Sequence, residues 1–204
     1  QLSEKDSDDA LVDFFDLYSG VGPELDLSQP FLIVLQHPVT TEYGSNQKQF
    51  DATLEALAEL KMPTLMLWPN ADAGSDEVSR SIRIFREKLS PNWLHVIKNL
   101  PTEIYIHLLN KTACLIGNSS SGIRDSAFIG TPVVNIGTRQ QKRMRDSNVI
   151  DVDYNSSEIL TAIKKQLTNG TYPSSTIYGD GTTGVQIADI LETITPKLQK
   201  TITY

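Results

Sequence analysis

The sequence lacks the features on which several classes of protein depend. It has one cysteine in 204 residues, so no intrachain disulfide can form, which favours a reducing compartment. That residue, Cys114, lies in an apolar run, where we expect a buried strand residue rather than a nucleophile. No apolar stretch approaches the roughly 18 residues of a membrane span, and no signal peptide is evident. We therefore expect a cytoplasmic protein without a membrane partner.

An excess of basic residues is also lacking. The chain has 25 Asp and Glu residues against 18 Lys and Arg residues, which gives a net charge of -7 at pH 7. This balance argues against a nucleic-acid partner, although a few local donors can still hold an anionic ligand. No His, Cys, Asp and Glu residues have the spacing of a metal site, and no Gly-x-Ser-x-Gly elbow indicates a serine hydrolase. We predict neither a metal nor another cofactor.

Short apolar runs alternate with helical patterns along the whole chain. Strands are predicted at 31–35, 64–68, 93–97, 113–116, 133–136 and 148–152. Helices are predicted at 46–60, 75–89, 102–111, 121–129, 156–168 and 183–199, with Ser75 and Ser156 as N-caps of two of them. This alternation predicts an α/β fold, with one Rossmann-like, mostly parallel sheet and helices on both faces. The length suits a single domain, 1–204.

Polar residues follow several of the predicted strands at the point where each strand ends. They are His37-Pro38, Asn70, the segment 118–122 and the segment 137–143. Ligands of parallel α/β sheets bind beyond the carboxyl ends of the strands, where such segments converge. The sequence therefore predicts one binding cleft at this edge of the sheet.

The turn at 117–125, Gly-Asn-Ser-Ser-Ser-Gly-Ile-Arg-Asp, carries the strongest chemical signal. It follows a predicted strand and opens a predicted helix, so unpaired main-chain N–H groups and the helix dipole would favour a phosphate or diphosphate. Ser119, Ser120 and Ser121 add hydroxyls, and Gly122 would let a ligand approach the backbone. The turn has neither a Walker sequence nor a Gly-x-Gly-x-x-Gly fingerprint, which argues against a nucleotide triphosphatase or an NAD enzyme. The alternative is an ordinary loop with a helix N-cap.

Charged residues near the turn have two interpretations each. Asp125 could accept ribose hydroxyls or simply complement the helix dipole. Arg139 and Arg143 could pair with phosphate oxygens or be surface charges, and Arg139, directly after Gly137-Thr138, is the better candidate. His37 is structural or functional with equal weight on the residues alone.

Three segments together resemble the hydrolysing UDP-N-acetylglucosamine 2-epimerases. They are Leu-Gln-His-Pro-Val-Thr-Thr-Glu at 35–42, the serine turn at 117–125, and Asn-Ile-Gly-Thr-Arg-Gln at 135–140. The resemblance implies the second domain of a two-domain GT-B enzyme, without the N-terminal domain. It also implies a reaction that eliminates UDP from the sugar, leaving a 2-acetamidoglucal, and then adds water to give ManNAc. The second domain would mainly hold UDP, and we expect a homo-oligomer.

The resemblance also implies roles for individual residues. His37 would lie near the diphosphate and the reacting sugar as a catalytic residue, with Asn70 close to the ligand. The substrate-binding set would then be Asn70, Ser119, Ser120, Ser121, Gly122, Asp125, Arg139 and Arg143. This chain departs from the family pattern at three of its positions: Asp125 replaces a glutamate, Lys142 replaces a glycine, and Asn99 replaces a histidine of some relatives.

Two other functions agree with the same residues. One is the nucleotide-binding half of a UDP-sugar glycosyltransferase, and the other is a non-catalytic nucleotide-binding domain. The sugar could be N-acetylglucosamine or a diacetamido relative. Because the chain begins with Gln1, it could be a processed chain or an excised fragment.

Overall fold

The chain forms a seven-stranded α/β domain. The computed structural model describes residue 11 and residues 13–195. Its strands are β1 Gly20–Val21, β2 Leu32–Leu35, β3 Thr64–Leu67, β4 Leu94–Ile97, β5 Cys114–Gly117, β6 Val133–Ile136 and β7 Val149–Val152. Its helices are α1 Phe14–Leu17, α2 Asn46–Leu60, α3 Ser75–Leu89, α4 Thr102–Lys111, α5 Asp125–Ile129, α6 Ser156–Asn169 and α7 Thr183–Thr193.

The sheet has the strand order β1-β4-β3-β2-β5-β6-β7. Every pair from β4 to β7 is parallel, and β1 alone pairs in the antiparallel direction, along β4. Each predicted strand is present. The sequence did not predict β1, because two exposed residues that include a glycine show no apolar periodicity. The order places β2 and β5 side by side at the centre.

Apolar residues cover both faces of the sheet, as the sequence predicted. Leu32 and Val34 of β2 belong to a cluster that also contains residues of α2, α3 and α6. Ile33, between them, belongs to a second cluster with Phe14 and with residues of α4. This alternation follows from the pleat, since successive side chains of a strand point to opposite faces. Because both faces of the sheet are packed, the ends of the strands are held in fixed positions relative to one another.

Two helix N-termini differ from the predicted ones. The cap of α6 is Asn155, whose Oδ1 accepts the N–H groups of Ser157 at 3.0 Å and Glu158 at 3.1 Å, whereas Ser156 is already helical. Ser75 likewise lies inside α3 and follows Gly74, at a φ of 93°. A Cβ at Gly74 would lie 2.6 Å from Asn46 Nδ2, so close packing rather than a serine cap sets this helix start.

The predicted helix at 121–129 is interrupted. The serine turn is a 3-10 helix at Ser120–Gly122, and α5 begins only at Asp125 and has five residues. The last helix, predicted at 183–199, is described as α7, which ends at Thr193, and residues from 196 onward lie outside the described part. Within the described part, no helix combines the length and the apolar character that crossing a bilayer requires.

Candidate active site

Asn118, directly after β5, joins the ends of three strands. Its side chain pairs with the main chain of His37 in both directions: Oδ1 accepts the His37 N–H at 2.7 Å, and Nδ2 donates to the His37 carbonyl at 2.8 Å. Its own carbonyl accepts from Arg139 Nη1 at 3.2 Å and from Gln140 Nε2 at 2.8 Å. Asn118 is 1% exposed. The segments after β2, β5 and β6 therefore share one frame.

Glycine at position 117 makes this junction possible. Gly117 lies opposite Leu35 in the parallel pair of β5 and β2, with a φ of 135°. A Cβ there would lie 2.2 Å from the Leu35 carbonyl oxygen. The approach of a ligand to Gly122 stays a prediction, and the structure adds a packing role, because a Cβ there would meet Val133 at 3.1 Å and Leu115 at 3.4 Å. Its missing side chain thus lets the turn pack on the sheet.

His37 is buried, with 7% of its surface exposed, and its protonation is fixed by its surroundings. The main-chain N–H of Asn70 donates to Nδ1 at 3.3 Å, which leaves the ring proton on Nε2. The pKa of His37 is lowered to about 4, mainly by burial and also by the nearby Arg139 guanidinium, whereas Asp72 opposes both effects. At neutral pH the imidazole is neutral and can donate a hydrogen bond through Nε2.

The main-chain amides of the serine turn are largely occupied. Ser121 N–H donates to Ser119 Oγ at 3.3 Å, and the next three amides donate to carbonyls of Ser119 and Ser120. The prediction of unpaired amides is therefore wrong for residues 121–124, because the 3-10 turn uses them internally. The hydroxyls of Ser119 and Ser121 donate to no residue that the structure describes, so they are available to a ligand.

A cavity of about 300 Å³ opens beside these groups. It is within the size range of small-molecule sites. The lining brings together four predicted site residues, His37, Asn70, Ser119 and Ser121, with residues that the sequence did not single out. The latter are Leu35, Leu67, Trp68, Lys98, Leu100, Thr102 and Tyr105, and Asn99 also lines the cavity. The sequence pattern did not single out Lys98 or Tyr105. Lys98 directly follows strand β4 and Tyr105 lies within helix α4, and neither belongs to a recognisable motif.

Arg139 contacts Asn118 but does not line the cavity of about 300 Å³. Besides its bond to the Asn118 carbonyl, its Nη2 lies 3.9 Å from Asp72 Oδ2, and it lines a second cavity of about 470 Å³ with Pro38 and Thr138. Glu42, which also lines this cavity, is held by three neighbouring side chains. Its carboxylate accepts hydrogen bonds from Thr138 Oγ1, from Tyr154 OH at 3.2 Å and from Gln49 Nε2 at 2.5 Å. The sequence did not assign this role to Glu42.

Besides Gly122, three predicted site residues line neither of these two cavities. Arg143 is exposed and lines a different cavity, which it shares with Lys142 and Arg145. Ser120 is half-buried but lines neither cavity beside Asn118. Asp125 is exposed at the start of α5, close enough to influence the pKa of a tyrosine of α4. These positions stay predictions of ligand contact.

Two further sequence features have clear outcomes. Cys114 is fully buried in β5, where burial raises the pKa of its thiol, so it is a packed strand residue as predicted. Lys142, which stands where the family pattern has glycine, adopts a φ of 63°. The turn therefore holds a residue that carries a side chain in the left-handed region. In the described part, no group of three or more His, Cys, Asp and Glu residues could hold a metal ion.

The sequence is similar to known proteins over most of its length. The family model described as UDP-N-acetylglucosamine 2-epimerase matches residues 15–192. The UDP-N,N'-diacetylbacillosamine 2-epimerase (hydrolyzing) of Legionella pneumophila is 32% identical over 182 residues, which are 89% of this chain and 46% of that protein. The chain thus spans about half the length of the curated relatives it matches.

Solved structures agree on the fold. The UDP-GlcNAc 2-epimerase from Methanocaldococcus jannaschii superposes with a TM-score of 0.65 at 15% identity, covering 92% of this chain and 51% of that one. The Neisseria meningitidis UDP-GlcNAc 2-epimerase, bound to UDP-GlcNAc, superposes with a TM-score of 0.64 at 13% identity, covering 83% and 46%. The α/β fold predicted from the sequence is confirmed. With a family match over most of its length, the chain belongs to the UDP-N-acetylglucosamine 2-epimerase family.

Proposed function

We propose that this chain is the C-terminal, UDP-holding half of a hydrolysing UDP-N-acetylglucosamine 2-epimerase of the cytoplasm. The intact enzyme would convert UDP-GlcNAc, or a diacetamido relative, to the free 2-epimeric sugar and UDP. The observation that carries the proposal is the Asn118 junction, which brings His37 and Arg139 to the serine turn.

The donors around the junction suit a diphosphate as a leaving group. Elimination breaks the bond between C1 and the diphosphate oxygen and transfers the C2 proton to a base, and water then adds to the resulting 2-acetamidoglucal. Negative charge on the diphosphate grows as the C1–O bond breaks. Arg139, the hydroxyls of Ser119 and Ser121, and the Nε2–H of His37 would stabilise that charge.

The division of labour follows from what these residues can do. A neutral imidazole, hydroxyls and a guanidinium donate hydrogen bonds, whereas the abstraction of a C2 proton requires a base. His37 has its Nδ1 occupied by the Asn70 amide, so it serves as a donor. We place the base that removes the C2 proton in the other half of the enzyme, together with much of the sugar pocket.

A turnover assay on the intact protein tests the proposal. UDP-GlcNAc and its 2,4-diacetamido relative are supplied separately, and UDP release and the free sugar are followed. We expect UDP and a free 2-epimer in equal amounts from one of the two substrates. Transfer of the sugar to an acceptor would indicate a glycosyltransferase, and a 2-epimer still attached to UDP would exclude hydrolysis. The absence of turnover together with tight UDP binding would favour a non-catalytic nucleotide-binding domain.

A further inference from the structure

Tyr105 connects helix α4 to the serine turn. Its hydroxyl donates to Ser121 Oγ at 3.0 Å, and its half-buried side chain lines the cavity of about 300 Å³ beside His37. The bond joins residues on two different elements, because Ser121 lies in the 3-10 turn after β5. No pattern in the sequence predicted this contact.

The bond is the first of two consecutive hydrogen bonds. Tyr105 OH donates to Ser121 Oγ, and the Ser121 main-chain N–H donates to Ser119 Oγ at 3.3 Å. Each of the two serine oxygens therefore accepts one bond from the protein. Neither serine O–H has a partner among the residues that the structure describes, and both serines line the cavity. Two hydroxyl protons are thus available to an acceptor in that cavity.

We propose that Tyr105 is a positioning residue, which holds the Ser121 hydroxyl so that its proton points at the diphosphate. The inference rests on the proposed function, since it needs a diphosphate in the cavity. A serine hydroxyl rotates freely unless its oxygen is engaged, and a hydroxyl that accepts a bond from the protein is a better donor to an anion. Tyr105 reaches the ligand through Ser121.

The protonation state of Tyr105 agrees with this role. The pKa of Tyr105 is raised to about 12, mainly by burial; the bond to Ser121 opposes this rise, and the negative charge of Asp125 adds to it. The phenol consequently keeps its proton throughout the pH range in which the enzyme would work. The Tyr105 hydroxyl therefore stays able to donate to Ser121 Oγ.

The variant Tyr105→Phe removes the hydroxyl and keeps the ring. UDP binding to the protein is measured by calorimetry, and we expect the Kd to rise about two- to tenfold, the range for one lost neutral hydrogen bond. Tyr172→Phe is the matched control, because the Tyr172 hydroxyl donates to Gln166 Oε1 at 2.7 Å and lines neither cavity beside Asn118. It should leave the Kd for UDP unchanged.

A double-mutant cycle separates positioning from general packing. In the Ser121→Ala background, Tyr105→Phe should have no further effect on the Kd, because the group through which it acts is gone. Equal losses in both backgrounds, or an unchanged Kd in Tyr105→Phe alone, would overturn the role of Tyr105. If the wild-type protein does not bind UDP, the proposed function fails instead.

Discussion

The junction at Asn118 includes Arg139 and Gln140, which directly precede residues 141–145, the segment that we call the rim; the junction and the rim nevertheless follow different physical rules. Asn118 is buried, and its side-chain amide has partners for both its oxygen and its nitrogen. Residues 141–144 are exposed, and their side chains can exchange partners with water. Because buried polar groups need hydrogen-bond partners, the Asn118 side chain is held in one conformation. An exposed charged side chain on the rim can adopt many conformations. We therefore expect hydrogen-bond donors that must keep a fixed position around a ligand to lie at the junction rather than on the rim.

Removing the Asn118 side chain is the strongest way to break the junction. Asn118→Ala leaves the N–H and the carbonyl of His37 buried without partners, at about 2 kcal/mol each. We expect the free energy of unfolding in urea to fall by about 4 kcal/mol, and UDP affinity to fall with it. Asn148→Ala is the control, since buried Asn148 makes a bond of the same 2.8 Å length to the Thr131 carbonyl outside the site.

The control should lose stability but keep its Kd for UDP. Equal losses of UDP affinity in Asn118→Ala and Asn148→Ala would show that Asn118 has only a general structural role.

Acid tests the same junction without a mutation at Asn118. The pKa of His37 is lowered from 6.5 to about 4, so the unfolded state binds more protons between these values. The stabilising contribution is complete above about pH 6.5 and is lost as the pH falls toward about 4, by roughly 3 kcal/mol in total. Unfolding in urea at several pH values measures it.

The variant His37→Gln isolates this contribution from carboxylates that titrate in the same range. We expect its stability to fall less steeply between pH 6.5 and 4 than that of the wild-type protein. Parallel curves for the two proteins would show that His37 is not buried in its neutral form.

The sequence predicts the strands and the position of the cleft far better than it predicts the Asn118 junction. Apolar runs place each strand from β2 to β7, and parallel strands bring their polar ends to one edge, so a cleft there follows from local patterns. The Asn118 junction does not follow, because its bonds to His37 join residues 81 positions apart. The occupied amides of the serine turn were also hidden, since a 3-10 helix and the first turn of an α-helix have similar sequences.

Arg139 belongs to the junction and Arg143 to the rim, so we expect their substitutions to differ in effect. Arg139 is bonded to the Asn118 carbonyl, whereas Arg143 is exposed and lines a separate cavity. A lost charged hydrogen bond to phosphate costs about 1.5–3 kcal/mol, so Arg139→Ala should raise the Kd for UDP by roughly 10- to 100-fold. For Arg143→Ala we expect a change below about threefold, which salt should abolish.

Calorimetry at low and high salt distinguishes the two arginines. A large, salt-resistant loss in Arg143→Ala would place this residue at the ligand, as the sequence allows, and would move the binding surface toward the rim.

The smallest expected effect concerns Lys142, where the rim adopts a conformation that its residue does not favour. A non-glycine residue at a φ of 63° bears a steric cost that glycine does not, of roughly 1 kcal/mol. Lys142→Gly relieves that cost but makes the unfolded chain more flexible, so we expect a net stabilisation of about 0.5 kcal/mol. Lys142→Ala, which keeps a Cβ, should not be stabilised. If both variants melt at the same temperature as the wild-type protein, the rim is free to relax, and only the junction holds the site in a fixed geometry.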